Sequence, residues 1–195
     1  AFTLAFLRHM QKAHAIAPGG KLLVGYDLRE SSPRIASACI DAARVFGMEV
    51  ESSGPLPTPA LALRALAQKL PAIMVTGSHI PADRNGLKFY RPDGEIDKSD
   101  EAGILAVLDL AGNDIPVPDD AGDISPKALA EYENRCISML DAGALAGKRI
   151  GVYQSEFIDF CGGGPVRSCQ TRPSTDLGAI AKTRLSTGDR ATLLL

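Results

Sequence analysis

The sequence predicts an α/β fold assembled from parallel β-α-β units. Two observations carry that expectation. Short apolar runs alternate with amphipathic stretches of about ten or more residues, and Pro, Gly or Ser punctuation separates them. Parallel strands joined in this way need right-handed crossovers. In open sheets of that kind ligands bind outside the carboxyl ends of the strands. With 195 residues the chain accommodates one large domain, or one domain and part of another.

"FTLAFLRHMQKAHA" opens the chain with Phe2, Phe6 and Met10 four residues apart, one face of an amphipathic helix that "APGG" ends. "KLLVGYD" (Lys21 to Asp27) reads as a buried strand. Ser31 or Ser32 followed by Pro33 starts the next helix, which buries Ile35, Cys39, Ala42 or Ala43 and Phe46 before Gly47 closes it. "MEVESSG" is a second strand. Thr58-Pro59 then opens "PALALRALAQK" as a third helix. "PAIMVT" (Pro71 to Thr76) is the most apolar strand, and "LKFYR" (Leu87 to Arg91) follows an Asn85-Gly86 turn that reverses the chain. "DIPVPDDAGD" reads as a linker, "PKALAEYENRCISMLDAG" as a helix after Ser125, and "KRIGVYQ" as the first strand of another α/β unit. Beyond Ser155 no helical or strand period persists. The expected organisation is therefore a domain over 1–113, a linker over 114–124, and the start of a second domain over 125–195 with an aberrant tail from 155.

Composition narrows the function. Basic and acidic residues nearly balance, 21 against 23, and no basic run stands out, so neither nucleic acid nor an anionic membrane is the expected partner. No stretch approaches the roughly 20 apolar residues of a membrane span. Cys39, Cys136, Cys161 and Cys169 form no C-x-x-C pair, and the three histidines do not cluster with them in sequence. Reduced thiols in a cytoplasm, without a zinc site, are the expectation.

The stretch "TGSHIPADRNGLK" sits at the carboxyl end of the most apolar strand. Gly77 leaves room beside Ser78, His79 offers a donor, Pro81 stiffens the exit, and Lys88 returns on the next strand. A fixed serine with cationic donors nearby suits a phosphoryl group. Ser, Gly and Asn are also ordinary turn residues, so a plain polar hairpin is the competing reading. No G-x-S-x-G elbow, Walker loop or dinucleotide fingerprint occurs.

The same stretch resembles the phosphoserine loop of the α-D-phosphohexomutases, approximately T-(A/G)-S-H-N-P-x-x-x-N-G-x-K. Thr76, Gly77, Ser78, His79, Pro81, Asn85, Gly86 and Lys88 match, and Ile80 departs where Asn is usual. "VGYDLRESSPR", "GPLPTPAL" and "FYRPDGEI" extend the resemblance over roughly residues 1–154. It implies a three-layer α/β/α domain with a mainly parallel mixed sheet, here lacking its first strand and followed by a truncated second α/β domain. It implies an isomerase that moves a phosphoryl group between the 1- and 6-positions of hexose phosphates. By the same resemblance Ser78 carries the phosphate and His79 supports it. Lys88 takes a proton-transfer or charge-stabilising role, while Arg29 and Asn85 hold the phosphate or its loop. Mg²⁺ would bind through the phosphate on Ser78, with a hexose 1,6-bisphosphate as activator.

Departures set the limits of that reading. The family's D-G-D-x-D-R metal loop does not occur in these residues, and "STGDRATLLL" offers only Asp189 in surroundings faintly like it. The expectation is an incomplete mutase, inactive alone. The alternative from another class is a non-catalytic domain that binds phosphosugar or a partner. The segments that read the sugar in this family are not among these residues, so the identity of the hexose is left open.

Overall fold

The computed structural model describes residues 1–81, 83–108 and 123–147. The chain divides into two compact units, Ala1–Tyr132 and Glu133–Leu195. Among the described residues of the first unit ten elements follow in order. They are α1 (Phe2–His14), β1 (Lys21–Tyr26), α2 (Ser32–Phe46), β2 (Glu49–Pro55), α3 (Thr58–Gln68), β3 (Ala72–Val75), β4 (Leu87–Arg91), β5 (Gly94–Glu95), α4 (Lys98–Leu108) and the start of α5 (Lys127–Ser138). The described part of the second unit, residues 133–147, is the rest of α5 and a run of turns.

Side-chain alternation along the strands builds the layers. Leu22, Val24 and Tyr26 of β1, Ile73 and Val75 of β3 and Phe89 of β4 pack into one apolar cluster with α1, α2 and Ile104 of α4. Leu23, Ala72, Met74 and Tyr90, the residues between them, form a second cluster with α3 and Ala128 of α5. The predicted α/β/α sandwich is what forms. Phe6 of α1 stacks on Phe89 with ring centroids 4.7 Å apart, which fixes α1 over the sheet. Gly25 serves the other face: a Cβ there would lie 2.4 Å from the Leu56 side chain, so only glycine lets the β2–α3 connection settle against β1.

The sheet order is β2-β1-β3-β4-β5. β1 pairs in parallel with β2 and β3, whereas β3–β4 and β4–β5 are antiparallel. α2 returns over one face and α3 over the other, so the chain changes direction across the sheet at β1. The carboxyl ends of β1 and β3 therefore flank a topological switch point, where a crevice opens by construction.

Sequence reading differs from the structure at identifiable places. Phe2 is half exposed, because the buried face of α1 runs through Thr3, Leu4, Phe6, Leu7 and Met10 and leaves Phe2 off it. Ser31 precedes α2 as expected, but its hydroxyl makes no capping bond. Instead it accepts from Asn85 Nδ2 at 3.1 Å. β5 and α4 were not expected. α4 carries Gly103 and no clean apolar stripe, and its start is instead written in capping chemistry. Asp97 Oδ1 accepts the Ser99 and Asp100 N–H groups at 2.8 and 3.1 Å, and Asp100 Oδ2 accepts the Asp97 N–H at 3.2 Å. That reciprocal pair is a capping box built from two aspartates. Ile124, assigned to the linker, bridges Ser52 at the edge of β2. Linker residues 114–122, the strand predicted at "KRIGVYQ" and the tail from 155 lie outside the described residues.

Candidate active site

Two loops meet at the switch point. The first, after β1, carries Asp27 and Arg29; the second, Thr76 to Gly86 after β3, carries Ser78. Asp27 is the joint between them. Its Oδ2 accepts the Gly77 N–H at 3.1 Å and the Arg29 Nε–H at 3.2 Å, and its Oδ1 accepts the Arg29 N–H at 3.1 Å and the Ser32 hydroxyl. Burial acts to raise the Asp27 pKa. Hydrogen bonds from Ser32, the Arg29 and Gly77 N–H groups and Thr76 outweigh it and hold the carboxyl below its ordinary value. The carboxylate is thus a fixed anion under the serine loop.

Arg29 lies beneath the same loop. Its Nη1 donates to the carbonyls of Pro81 and Arg84 at 2.7 and 3.1 Å, and its Nη2 to those of Ser78 and Ile80 at 3.3 and 3.0 Å. With the Nε–H bond to Asp27, each of the guanidinium's five N–H donors has an acceptor. The side chain is spent on holding the loop. This also changes the reading of Gly77. A Cβ there would lie 2.2 Å from Arg29 Cζ, so the glycine makes room for the clamp rather than for a ligand.

Asn85 closes the loop from the far end. Its Nδ2 donates to Ser31 and Ser32 hydroxyls at 3.1 and 2.7 Å, and its Oδ1 accepts the Gly86 N–H at 3.0 Å. Gly86 does not take the left-handed backbone of a tight Asn-Gly hairpin. Chain reversal is spread over the segment instead, through turns closed by Ile80 N–H on Gly77 O at 2.9 Å and Arg84 N–H on Pro81 O at 3.0 Å.

Ser78 takes the left-handed conformation itself, at φ 48°, and is exposed. Its N–H donates to the Thr76 hydroxyl at 3.2 Å. A non-glycine residue there is strained by roughly 1–2 kcal/mol. The Arg29–Asp27–Asn85 network supplies the constraint that keeps the hydroxyl at the rim of the crevice. Strain of this sort concentrates at functional positions. His79, beside it, is also exposed.

Lys88 stands apart from this network. It lies opposite Met74 in the β3–β4 ladder, and its ammonium pairs with Glu95 of β5 at 3.3 Å. Asp27, two residues before Arg29, is a site residue that the sequence motif alone does not mark. The missing signal was the partner: Gly77 is 50 residues further along the chain. A Mg²⁺ cage is not present at Ser78 among the described residues. Asp27 is the carboxylate beneath it, and both of its oxygens are already engaged.

Residues 1–112 match the family model described as phosphoglucomutase/phosphomannomutase, alpha/beta/alpha domain I. The chain belongs to the phosphoglucomutase/phosphomannomutase family. A phosphomannomutase of Sinorhizobium fredii is 42% identical over 161 residues, covering 80% of this chain and 34% of the relative. A phosphomannomutase of Salmonella muenchen is 41% identical over 162 residues, covering 78% of this chain and 31% of the relative. The chain thus spans about a third of the length of these phosphohexomutases. A solved structure of a phosphoglucomutase/phosphomannomutase family protein from Burkholderia thailandensis shares the fold over 72% of this chain and 31% of its own. Its TM-score is 0.57 and its identity 23%. The three-layer domain described above is accordingly the family's domain I.

Proposed function

We propose that this chain supplies the phosphoryl-carrying domain of a phosphohexomutase, with Ser78 as the carrier. The observation that supports it most is the exposed left-handed Ser78, on a loop held at the switch point by the half-buried Asp27–Arg29 clamp. Membership of the family and the phosphomannomutase relatives support the substrate class, hexose phosphates. The loop's bonds to Arg29, Asp27 and Asn85 all lie within the domain, which supports a hydroxyl positioned before substrate arrives.

In this reading the phosphorus–oxygen bond to Ser78 Oγ breaks as one forms to a sugar hydroxyl, whose proton ends on Ser78 Oγ. The bisphosphorylated sugar turns and returns its other phosphate to Ser78. His79, the exposed neighbour of Ser78, donates to the phosphate oxygens in the same reading. Arg29 and Asn85 act through the loop, by fixing its backbone. A proton-transfer role for Lys88 requires its pair with Glu95 to open, which at an exposed site costs at most about 1 kcal/mol. Mg²⁺ would neutralise the charge of the phosphate on Ser78.

Incubation with a hexose 1,6-bisphosphate, followed by intact mass and peptide mapping, tests the carrier assignment. The expected result is a single phosphate on Ser78, absent from Ser78→Ala. Label on another residue with Ser78 clean overturns it. No covalent label, together with hexose-phosphate binding, points to a binding domain instead.

A further inference from the structure

On the opposite edge of the sheet, away from Ser78, three ligand-type atoms converge. β4 runs antiparallel to β3, so Arg91 at its end and the β5–α4 connection lie beyond the amino ends of the parallel strands. His14 ends α1 on the same side, just before the chain enters β1. There His9 Nε2 and His14 Nε2 each lie 2.9 Å from the same oxygen, Oδ1 of Asp100 on α4. All three atoms fall within 4.8 Å of one another.

We propose that His9, His14 and Asp100 form a binding site for a divalent transition ion of the zinc class, pinning α1 to α4. Two imidazole nitrogens and one carboxylate oxygen are the donor set such ions prefer, and three protein ligands leave a fourth position for water. Metal–ligand bonds of about 2.0–2.2 Å place tetrahedral donors roughly 3.3 Å apart, so movements of about an ångström convert the present cluster into a coordination shell. Access exists: Asp100 is buried at 4% side-chain exposure, while His9 and His14 keep 14% and 25%.

The surroundings are built around the cluster. A Cβ on Gly103 would lie 2.2 Å from the His9 ring, so a glycine in the middle of α4 is what admits the imidazole. The other oxygen of Asp100 is oriented by Arg91 Nη1 at 2.9 Å and by the Asp97 N–H at 3.2 Å, as the non-ligating oxygen of a metal carboxylate usually is. Arg91 brings a positive charge, but Asp97 Oδ2 faces the same Nη1 at 2.8 Å and offsets it, leaving the Asp100 charge for the ion. Without metal both Nε2 atoms must carry hydrogen to satisfy an ionised carboxylate. A bound ion would take both Nε2 lone pairs, with each ring's hydrogen moved to Nδ1.

Titration of the 195-residue chain with Zn²⁺ by calorimetry, with Co²⁺ absorption as a second readout, tests the site. One ion per chain is expected, with a melting temperature that climbs with Zn²⁺ concentration. Co²⁺ should show d–d bands without a thiolate charge-transfer band. His14→Gln, at a helix end, should loosen binding at least about tenfold, since even outer partners of a metal ligand are worth that much. Ser78→Ala should bind as the parent does, which separates this site from the carrier function. Absence of Zn²⁺ binding, a thiolate band, or undiminished binding by His9→Gln/His14→Gln would each overturn the proposal.

Discussion

Ser78 shows how one backbone angle constrains what substitutions mean. At φ 48° a Cβ is strained, so Ser78→Gly removes both hydroxyl and strain, while Ser78→Ala removes the hydroxyl alone. After glycine's extra unfolded-state entropy, Ser78→Gly should be more stable than Ser78→Ala by roughly 0.5–1 kcal/mol. Urea unfolding of the two variants reads that difference; equal midpoints would mean the loop carries no such strain. Arg29 makes a complementary prediction. Arg29→Ala strips four loop carbonyls of their donor but leaves them accessible to water, so the global cost should stay near about 1–2 kcal/mol. Hydrogen exchange in the 77–86 amides should nevertheless quicken well beyond that of β1 and β3. Protection that falls uniformly would show Arg29 to be a general stabiliser rather than a clamp.

Among the elements, α1 and α4 are tied by charge as well as by packing. Asp97 is held down to about 2 by bonds from Ser99 and the Asp100 N–H, against slight burial. For Asp100 burial pushes upward, but His14, His9, the Asp97 N–H and Arg91 outweigh it and hold the carboxyl far below the ordinary range. Folded-state pKa values below the unfolded ones make this a contribution present above about pH 4. It is lost as the pH falls through the folded values, near 2 and lower. Stability should therefore drop steadily between about pH 4 and pH 2, and the drop should be shallower in Asp97→Asn. Thermal melts across that window measure it; an identical acid limb in the variant would remove Asp97 from the effect. α4 also explains why part of the fold was illegible. Its start depends on a capping box between Asp97 and Asp100, and aspartate is a residue that composition alone assigns to a polar loop. β1 and β3 were legible as short continuous apolar runs that the sheet buries on both faces, β4 by the turn residues before it, and α2 by apolar residues at helical spacing.

For the whole molecule, phosphoryl transfer depends on positioning and charge neutralisation more than on the nucleophile. These residues position Ser78 and contain no D-G-D-x-D-R loop. The chain alone should therefore turn over glucose 1-phosphate or mannose 1-phosphate far below about 1 s⁻¹, the low end of ordinary enzyme rates, with Mg²⁺ and bisphosphate present. A coupled assay checks this, and a rate above that level abolished by Ser78→Ala would show this domain to be sufficient.

The sequence by itself determined the α/β alternation, the strand that ends at the serine loop, and the loop's identity, because periodicity and a contiguous motif are local properties of a chain. Tertiary structure alone decided what Gly77 and Arg29 do, that Asp27 joins two loops 50 residues apart, and that Lys88 pairs with Glu95. It also decided that His9 and His14 share an oxygen of a residue 91 and 86 positions away. The physical reason is the same in each case. A side chain's role is set by which donors and acceptors remain once its neighbours are chosen, and sheet order, not sequence order, chooses those neighbours.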